Sequence, residues 1–151
     1  MIQPSIVRFQ KQKFHHRPEE GEYGDCLRTA FACLLGMDRD DVPHFGEGGP
    51  PVHVRSNAER DWLQSQGLCE ITIPYQGDLE PILSSFACLN TGEFYMLTGT
   101  SRTGCRHVVI CRNEKIVWDT SLTDSGIVAP CSDGFYYVSV LAKRFVKEAI
   151  R

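Results

Sequence analysis

Apolar residues recur at helical spacing over Leu27, Ala30, Phe31, Leu34 and Leu35, which predicts an amphipathic helix starting at Cys26. Asp25 stands where a side-chain cap belongs, and Gly36 where a left-handed residue can end the helix. Residues 38–43 read as one more helical turn stopped by Pro43, and 45–51, rich in glycine and proline, as a loop able to act as a lid. A second helix is expected over 57–66, capped by Ser56, with Ala58, Trp62 and Leu63 inward and Gly67 ending it.

A strand follows at 69–73, and Leu79, Ile82, Leu83 and Phe86 then repeat as a short helix over 79–89. After Asn90-Thr91-Gly92 the pattern turns to sheet, with strands at 93–99, 106–111, 115–119 and 134–141. Residues 1–24 have neither period and read as a lead-in loop. Helices first and antiparallel strands second describe an α+β fold, with the Cys26 helix packed on a C-terminal sheet.

The length of 151 residues suits one domain spanning 1–151, large enough to bury a core without metal or disulfide staples. A net charge of -3, with 16 Lys and Arg scattered along the chain, shows no basic stripe, so nucleic acid is not an expected partner. No apolar run reaches the ~20 residues of a membrane span, and Met1-Ile2-Gln3-Pro4 does not lead into a signal-like stretch. A cytoplasmic protein without membrane contact is therefore expected. The seven cysteines form an odd set without a C-x-x-C pair, which favours reduced thiols.

One cysteine is placed for chemistry. Cys26 opens a helix, where unpaired N–H groups and the positive end of the dipole favour a thiolate, although the charge of Asp25 acts against it. Cys33 lies about 10 Å further along the same helix at ~1.5 Å per residue, too far for a disulfide, and reads as core. A base is then required. His107 opens the buried-looking run Val108-Val109-Ile110, where a polar ring needs a partner, and Asp119 ends the next strand at the same end of the hairpin.

Cys26, His107 and Asp119 thus form a candidate catalytic set of nucleophile, base and orienter. His107 and Asp119 share a face only if the hairpin has an odd-length loop, such as Arg112-Asn113-Glu114, or an equivalent bulge; a two-residue loop alone turns Asp119 away. The Cys26 N–H and one side chain from the preceding loop, Gln12 or behind it Tyr23, are candidates for an oxyanion hole. Trp118 is a candidate wall for the substrate, with core packing as its other reading. His15, His16, His44 and His53 read as loop histidines.

Gly24-Asp25-Cys26 with its helix, His107-Val108-Val109-Ile110 and Val117-Trp118-Asp119 resemble the papain-like cysteine hydrolase superfamily in its compact bacterial forms. With Leu34-Leu35-Gly36 and Asp41-Val42-Pro43-His44-Phe45 added, the chain is similar to small proteins of bacteriophages and their hosts. The resemblance implies a papain-like fold, a Cys-His-Asp triad, no cofactor, and a protein, peptide or cell-wall fragment as substrate. Papain-like enzymes carry a glutamine a few residues before the cysteine; here that place holds Glu19-Glu20-Gly21, so an oxyanion role for Gln12 implies an insertion.

Three other readings use the same residues. A deamidase or acyl transferase shares the triad and differs in what resolves the thioester. A binding protein can retain the fold without catalysis. Zinc could in principle take Cys105, His107 and Cys111 with Cys131 or Asp119, but alternate strand residues ~6.6 Å apart suit it poorly.

Overall fold

The computed structural model describes residues 6–144, so the first five residues of the expected lead-in lie outside the described residues. Its helices are α1 (Cys26–Leu35), α2 (Val52–Ser65) and α3 (Leu79–Leu89). Its strands are β1 (Leu68–Tyr75), β2 (Phe94–Thr100), β3 (Arg106–Arg112), β4 (Lys115–Asp119) and β5 (Tyr136–Lys143). The strands form one sheet in the order β1-β5-β2-β3-β4, antiparallel throughout. The arrangement is α+β. Among the described residues no helix is long and apolar enough to cross a membrane.

Helices cover both faces of the sheet. On one side Ala30, Phe31 and Cys33 of α1 pack with Val42, Phe45 and Leu63 against Met96, Val108 and Ile110. On the other, Ile82, Leu83 and Phe86 of α3 pack against Tyr95, Leu97, Val109 and Val138. The inner strands β2 and β3 are therefore buried on both faces, which is why Val108-Val109-Ile110 shows no alternation. Phe31, fully buried, meets Trp62 and Phe45 at ring-centroid distances of 6.3 Å each and ties α1 to α2 and the loop between them.

The first helix ends as its sequence predicts: Gly36 has φ 67° and its N–H reaches the Ala32 and Cys33 carbonyls. Its start differs. Asp25 makes no side-chain capping bond; instead Oδ1 accepts from the Lys13 and Phe14 N–H groups at 2.9 Å each, and Oδ2 accepts from Arg28 Nε at 2.9 Å. Its side chain clamps the lead-in segment alongside α1.

The expected turn at 38–43 is a 3-10 turn over Arg39–Asp41, with the Asp38 side chain accepting from the Asp40 N–H. A second short 3-10 turn, Pro18–Glu20, lies within the expected loop. Helix α2 begins at Val52 rather than after Ser56, because Pro51 in an extended conformation is the residue at which the loop hands over to helix. Ala58 faces outward; the half-buried positions of α2 are Arg55, Glu59, Trp62 and Gln64, beside buried Leu63. The hairpin between β3 and β4 also differs from a three-residue loop. Arg112 pairs with Lys115 across a two-residue turn in which Asn113 has φ 53°.

Candidate active site

A two-residue turn by itself would carry Asp119 to the face opposite His107. The register shifts instead between Ile110 and Cys111: Cys111 pairs with Ile116, but Ile110 pairs with Trp118, leaving Val117 as an extra residue. This bulge sets Asp119 opposite Val109, two residues from His107 and on its face. The His107 to Asp119 contact is thus diagonal rather than directly opposite, with Nε2 of the ring 2.7 Å from Asp119 Oδ1.

Both ends of that contact are held. Asp119 Oδ1 also accepts from the Ser121 N–H at 2.8 Å, and Oδ2 accepts from the Gly126 N–H at 2.7 Å. Burial works to raise the Asp119 pKa, but the His107 ring and these two N–H donors outweigh it and hold the carboxyl down at about 2. The ring of His107 is buried, and burial disfavours its charge. The hydrogen bond to Asp119, followed by the hydrogen bond and charge of Cys26, overcomes burial and pushes the ring up to about 9. With Nε2 given to Asp119, Nδ1 is the nitrogen left for the thiol.

Cys26, half-buried at the start of α1, and His107 line one cleft of about 960 Å³. The helix terminus is not neutralised by its neighbour. Asp25 is fully engaged by Arg28 and the lead-in N–H groups, with Arg39 Nε a further 3.9 Å away. The Cys26 N–H has no acceptor among the described residues.

Gln12 lines the cleft, and its N–H donates to the Thr120 carbonyl at 2.7 Å, beside the strand end that carries Asp119. Its side-chain Nε2 donates to the Phe14 carbonyl at 2.7 Å, while Oε1 is buried without a partner among the described residues. The chain between Gln12 and Cys26 leaves this strip and returns. Arg17 and Glu22 bridge around the 3-10 turn, which is a compact excursion from the strip.

Tyr23 also lines the cleft, at its rim. A Cβ added at Gly49 would meet the Tyr23 hydroxyl at 2.6 Å, so only glycine lets the 45–51 loop close on this ring. Trp118 sits elsewhere. It pairs with Ile110 on the α1 side, stacks on Phe9 at 5.1 Å and donates from Nε1 to the Gln10 carbonyl at 2.7 Å, outside the cleft lining. The substrate-wall role expected for Trp118 does not fit that position; its bulge-shifted register turns it into the packing beneath α1.

His44 lies in a loop, as its sequence context predicts, and it stacks on Phe14 at 5.5 Å with its Nε2 3.3 Å from the Gly24 carbonyl, lining the cleft. His16 accepts from the Gly24 N–H through Nδ1 at 3.3 Å, so two histidines brace the residue two before the cysteine. No periodic signal marks His44. The far end of the cleft holds Glu59, Glu70 and Arg106, none of which stood out in the sequence; for Glu59 the available signal was its helical phase with Trp62.

Cys105, His107 and Cys111 do not gather. Cys111 lies beneath α3, where burial pushes its thiol up to about 12, and among the described residues no three His, Cys, Asp or Glu side chains are grouped to hold a metal. Compared with known protein families, curated proteins and solved structures, the chain matches none.

Proposed function

We propose that this protein is a cysteine-nucleophile hydrolase, a peptidase or amidase of papain-like type, acting on an amide or thioester carbonyl through Cys26, His107 and Asp119. The carrying observation is the His107 ring, bonded through Nε2 to Asp119 at 2.7 Å and lining the same cleft as Cys26. Asp119 and Cys26 push the ring up against burial, to about 9, which suits a base that holds and then delivers a proton.

In this reaction the Cys26 sulfur attacks the carbonyl carbon, forming a C–S bond and placing the displaced electron pair on the carbonyl oxygen. The Cys26 N–H stabilises that oxyanion, with Gln12 as the side-chain candidate beside it. Collapse breaks the carbonyl bond to the leaving group, and His107 delivers its proton there. His107 then takes a proton from water, whose oxygen cleaves the thioester to release acid and thiol. Asp119 holds the ring and its charge throughout.

Labelling by iodoacetamide, with peptide mapping, tests this reading. Cys26 is expected to alkylate fastest of the seven thiols at pH 7, with loss of that preference in His107→Ala. Equal labelling of Cys26 in both proteins removes the basis for the triad.

A further inference from the structure

The segment after β4 closes on the carboxylate that begins it. Asp119 Oδ1 accepts from the Ser121 N–H at 2.8 Å and Oδ2 from the Gly126 N–H at 2.7 Å, while Ser121 Oγ accepts from the Thr123 and Ser125 N–H groups at 3.2 and 2.9 Å. These bonds are all polar. Leu122, the one large apolar side chain between 120 and 125, is 42% exposed, so the segment lacks a buried apolar anchor to keep it shut. The hold comes from outside.

Two cations from separate parts of the chain meet at the outer bend, Asp124. Here φ is 49°, a left-handed conformation that aspartate tolerates better than most residues. Arg102, in the turn between β2 and β3, donates from Nη2 to the Asp124 carbonyl and from its backbone N–H to the Ser125 carbonyl at 3.1 Å. Lys11, in the lead-in segment, does more. Its Nζ donates to Asp124 Oδ1 and also to the Asp119 carbonyl at 2.9 Å, so one ammonium joins the first residue of the segment to its outer bend. Nζ also lies over the Trp118 ring, 4.7 Å from its centroid.

The lysine reaches this place from a fixed backbone. Its carbonyl accepts from Arg39 Nη1 at 2.8 Å, and the next N–H, that of Gln12, donates to the Thr120 carbonyl at 2.7 Å. Removing the ammonium leaves both of these bonds in place. The ammonium is bonded to the Asp119 carbonyl rather than to its carboxylate, and the influences that displace His107 are burial, Asp119 and Cys26. Lys11 reaches the ring by way of the loop.

We infer that Lys11 is a positioning residue: by tying the Asp119 carbonyl to Asp124 it keeps the Ser121 and Gly126 N–H groups on the Asp119 carboxylate, and so fixes the oxygen that His107 Nε2 meets. The inference rests on the hydrolase reading for its link to catalysis, where a misplacement of ~1 Å costs up to about 100-fold in rate. The ion pair itself is partly exposed, with the Lys11 side chain at 33% and that of Asp124 at 75%, so its weight in global stability is small. Its loss is read at His107.

Lys11→Met keeps an apolar stem of similar length and removes the ammonium, while Lys11→Arg keeps a cation. In Lys11→Met the His107 ring pKa, followed by NMR titration, is expected to fall by at least about one unit, and iodoacetamide labelling of Cys26 at pH 7.5 to slow about tenfold, with the thermal midpoint within about 4 °C of the wild type. A direct charge effect has the opposite sign, since removing a nearby cation raises a histidine. Lys11→Arg is expected to restore both readouts. Asp124→Gly, which suits the left-handed bend and removes the carboxylate, is expected to lower the ring likewise, and adding Lys11→Met in that background changes labelling by less than about twofold. An unchanged or raised ring pKa in folded Lys11→Met, a loss in Lys11→Arg as large as in Lys11→Met, or full additivity of the two substitutions overturns the inference. If Lys11→Met does not fold, Asp124→Gly decides by the same two readouts. If wild-type Cys26 proves inert to iodoacetamide, the hydrolase reading falls separately, and the ring titration alone decides the role of Lys11.

Discussion

Asp119→Asn isolates the element on which the site depends most. Three donors converge on this carboxylate: the His107 ring through Nε2, and the Ser121 and Gly126 N–H groups. A carboxylate accepts from all three, whereas an amide must turn its NH2 towards one of them. Either a backbone donor of the 121–126 loop is lost, or His107 deprotonates at Nε2 and carries its proton on Nδ1, the tautomer unable to accept from Cys26. His107 is pushed from 6.5 to about 9 by Asp119 and Cys26 against burial, and Asp119 from 3.8 down to about 2 by His107 together with the Ser121 and Gly126 N–H groups. At ~1.4 kcal/mol per unit, the share of the pair itself is on the order of 2 to 3 kcal/mol.

Removing the charge leaves burial, the largest influence on His107, unopposed by Asp119. The His107 ring pKa is therefore expected to fall to 6.5 or below in Asp119→Asn, read by NMR titration of the ring. Loss of about 3 kcal/mol predicts Cys26 alkylation at pH 7.5 roughly 100-fold slower. Stability follows with a defined sign. A ring raised in the folded state stabilises fully below about pH 6.5, and that contribution disappears as pH rises through about 9. The depressed Asp119 contributes above about pH 3.8 and ceases to do so as pH falls through about 2. Urea unfolding of the wild type should thus weaken between pH 6.5 and 9.5, with this fall blunted in the variant. A ring that still titrates near 9 without the carboxylate refutes the assignment of Asp119 as its principal partner.

Two further substitutions probe the surroundings. Gly99 faces His107 across the β2–β3 pair, and a Cβ there would lie 2.6 Å from Ile127 and 2.8 Å from the Ala129 carbonyl. Gly99→Ala is expected to displace the loop whose Gly126 N–H holds Asp119, slowing Cys26 alkylation at least tenfold; an unchanged rate in a folded variant contradicts that coupling. Gln12 retains a buried oxygen without a partner among the described residues, an arrangement that costs about 1 to 3 kcal/mol and suits a group kept for its nitrogen. Gln12→Leu should leave the thermal midpoint unchanged or raised while slowing thioester formation with an activated ester by about 100-fold; a destabilised protein acylating at the wild-type rate opposes an oxyanion role.

Local pattern carried much of the architecture. The helical repeat from Leu27 to Leu35 and the left-handed Gly36 gave α1 its bounds, and the Leu79–Phe86 spacing identified α3, because each buries one apolar stripe. The α2 helix was less legible for a physical reason. Its first turns overhang a cleft rather than the core, so Arg55 and Glu59 occupy positions where an apolar residue would announce the inward face. The hairpin register could be narrowed only to an odd-length loop or a bulge. Asn113 favours a two-residue turn by its left-handed φ, and the extra residue then falls at Val117, whose side chain resembles its neighbours in every local property. His44 joins the cleft solely through chain folding, by stacking on Phe14.

The placement of an aspartate beside Cys26, the proposed nucleophile, is coherent once its partners are considered. A free Asp25 carboxylate capping α1 would occupy the first-turn N–H groups and set a negative charge next to the thiol, both opposing a thiolate. In the fold its side chain is completely buried and turns away to Lys13, Phe14 and Arg28. The charge is thereby matched by a guanidinium that is itself bonded to the Val42 carbonyl. Asp25 consequently joins three segments around the start of α1 and leaves the helix terminus electropositive towards the cleft. The Gly24 backbone, braced between His16 and His44, fixes the approach to that terminus. The local conflict read in Gly24-Asp25-Cys26 is resolved by tertiary contacts, and Cys26 is left lining the cleft that His107 shares.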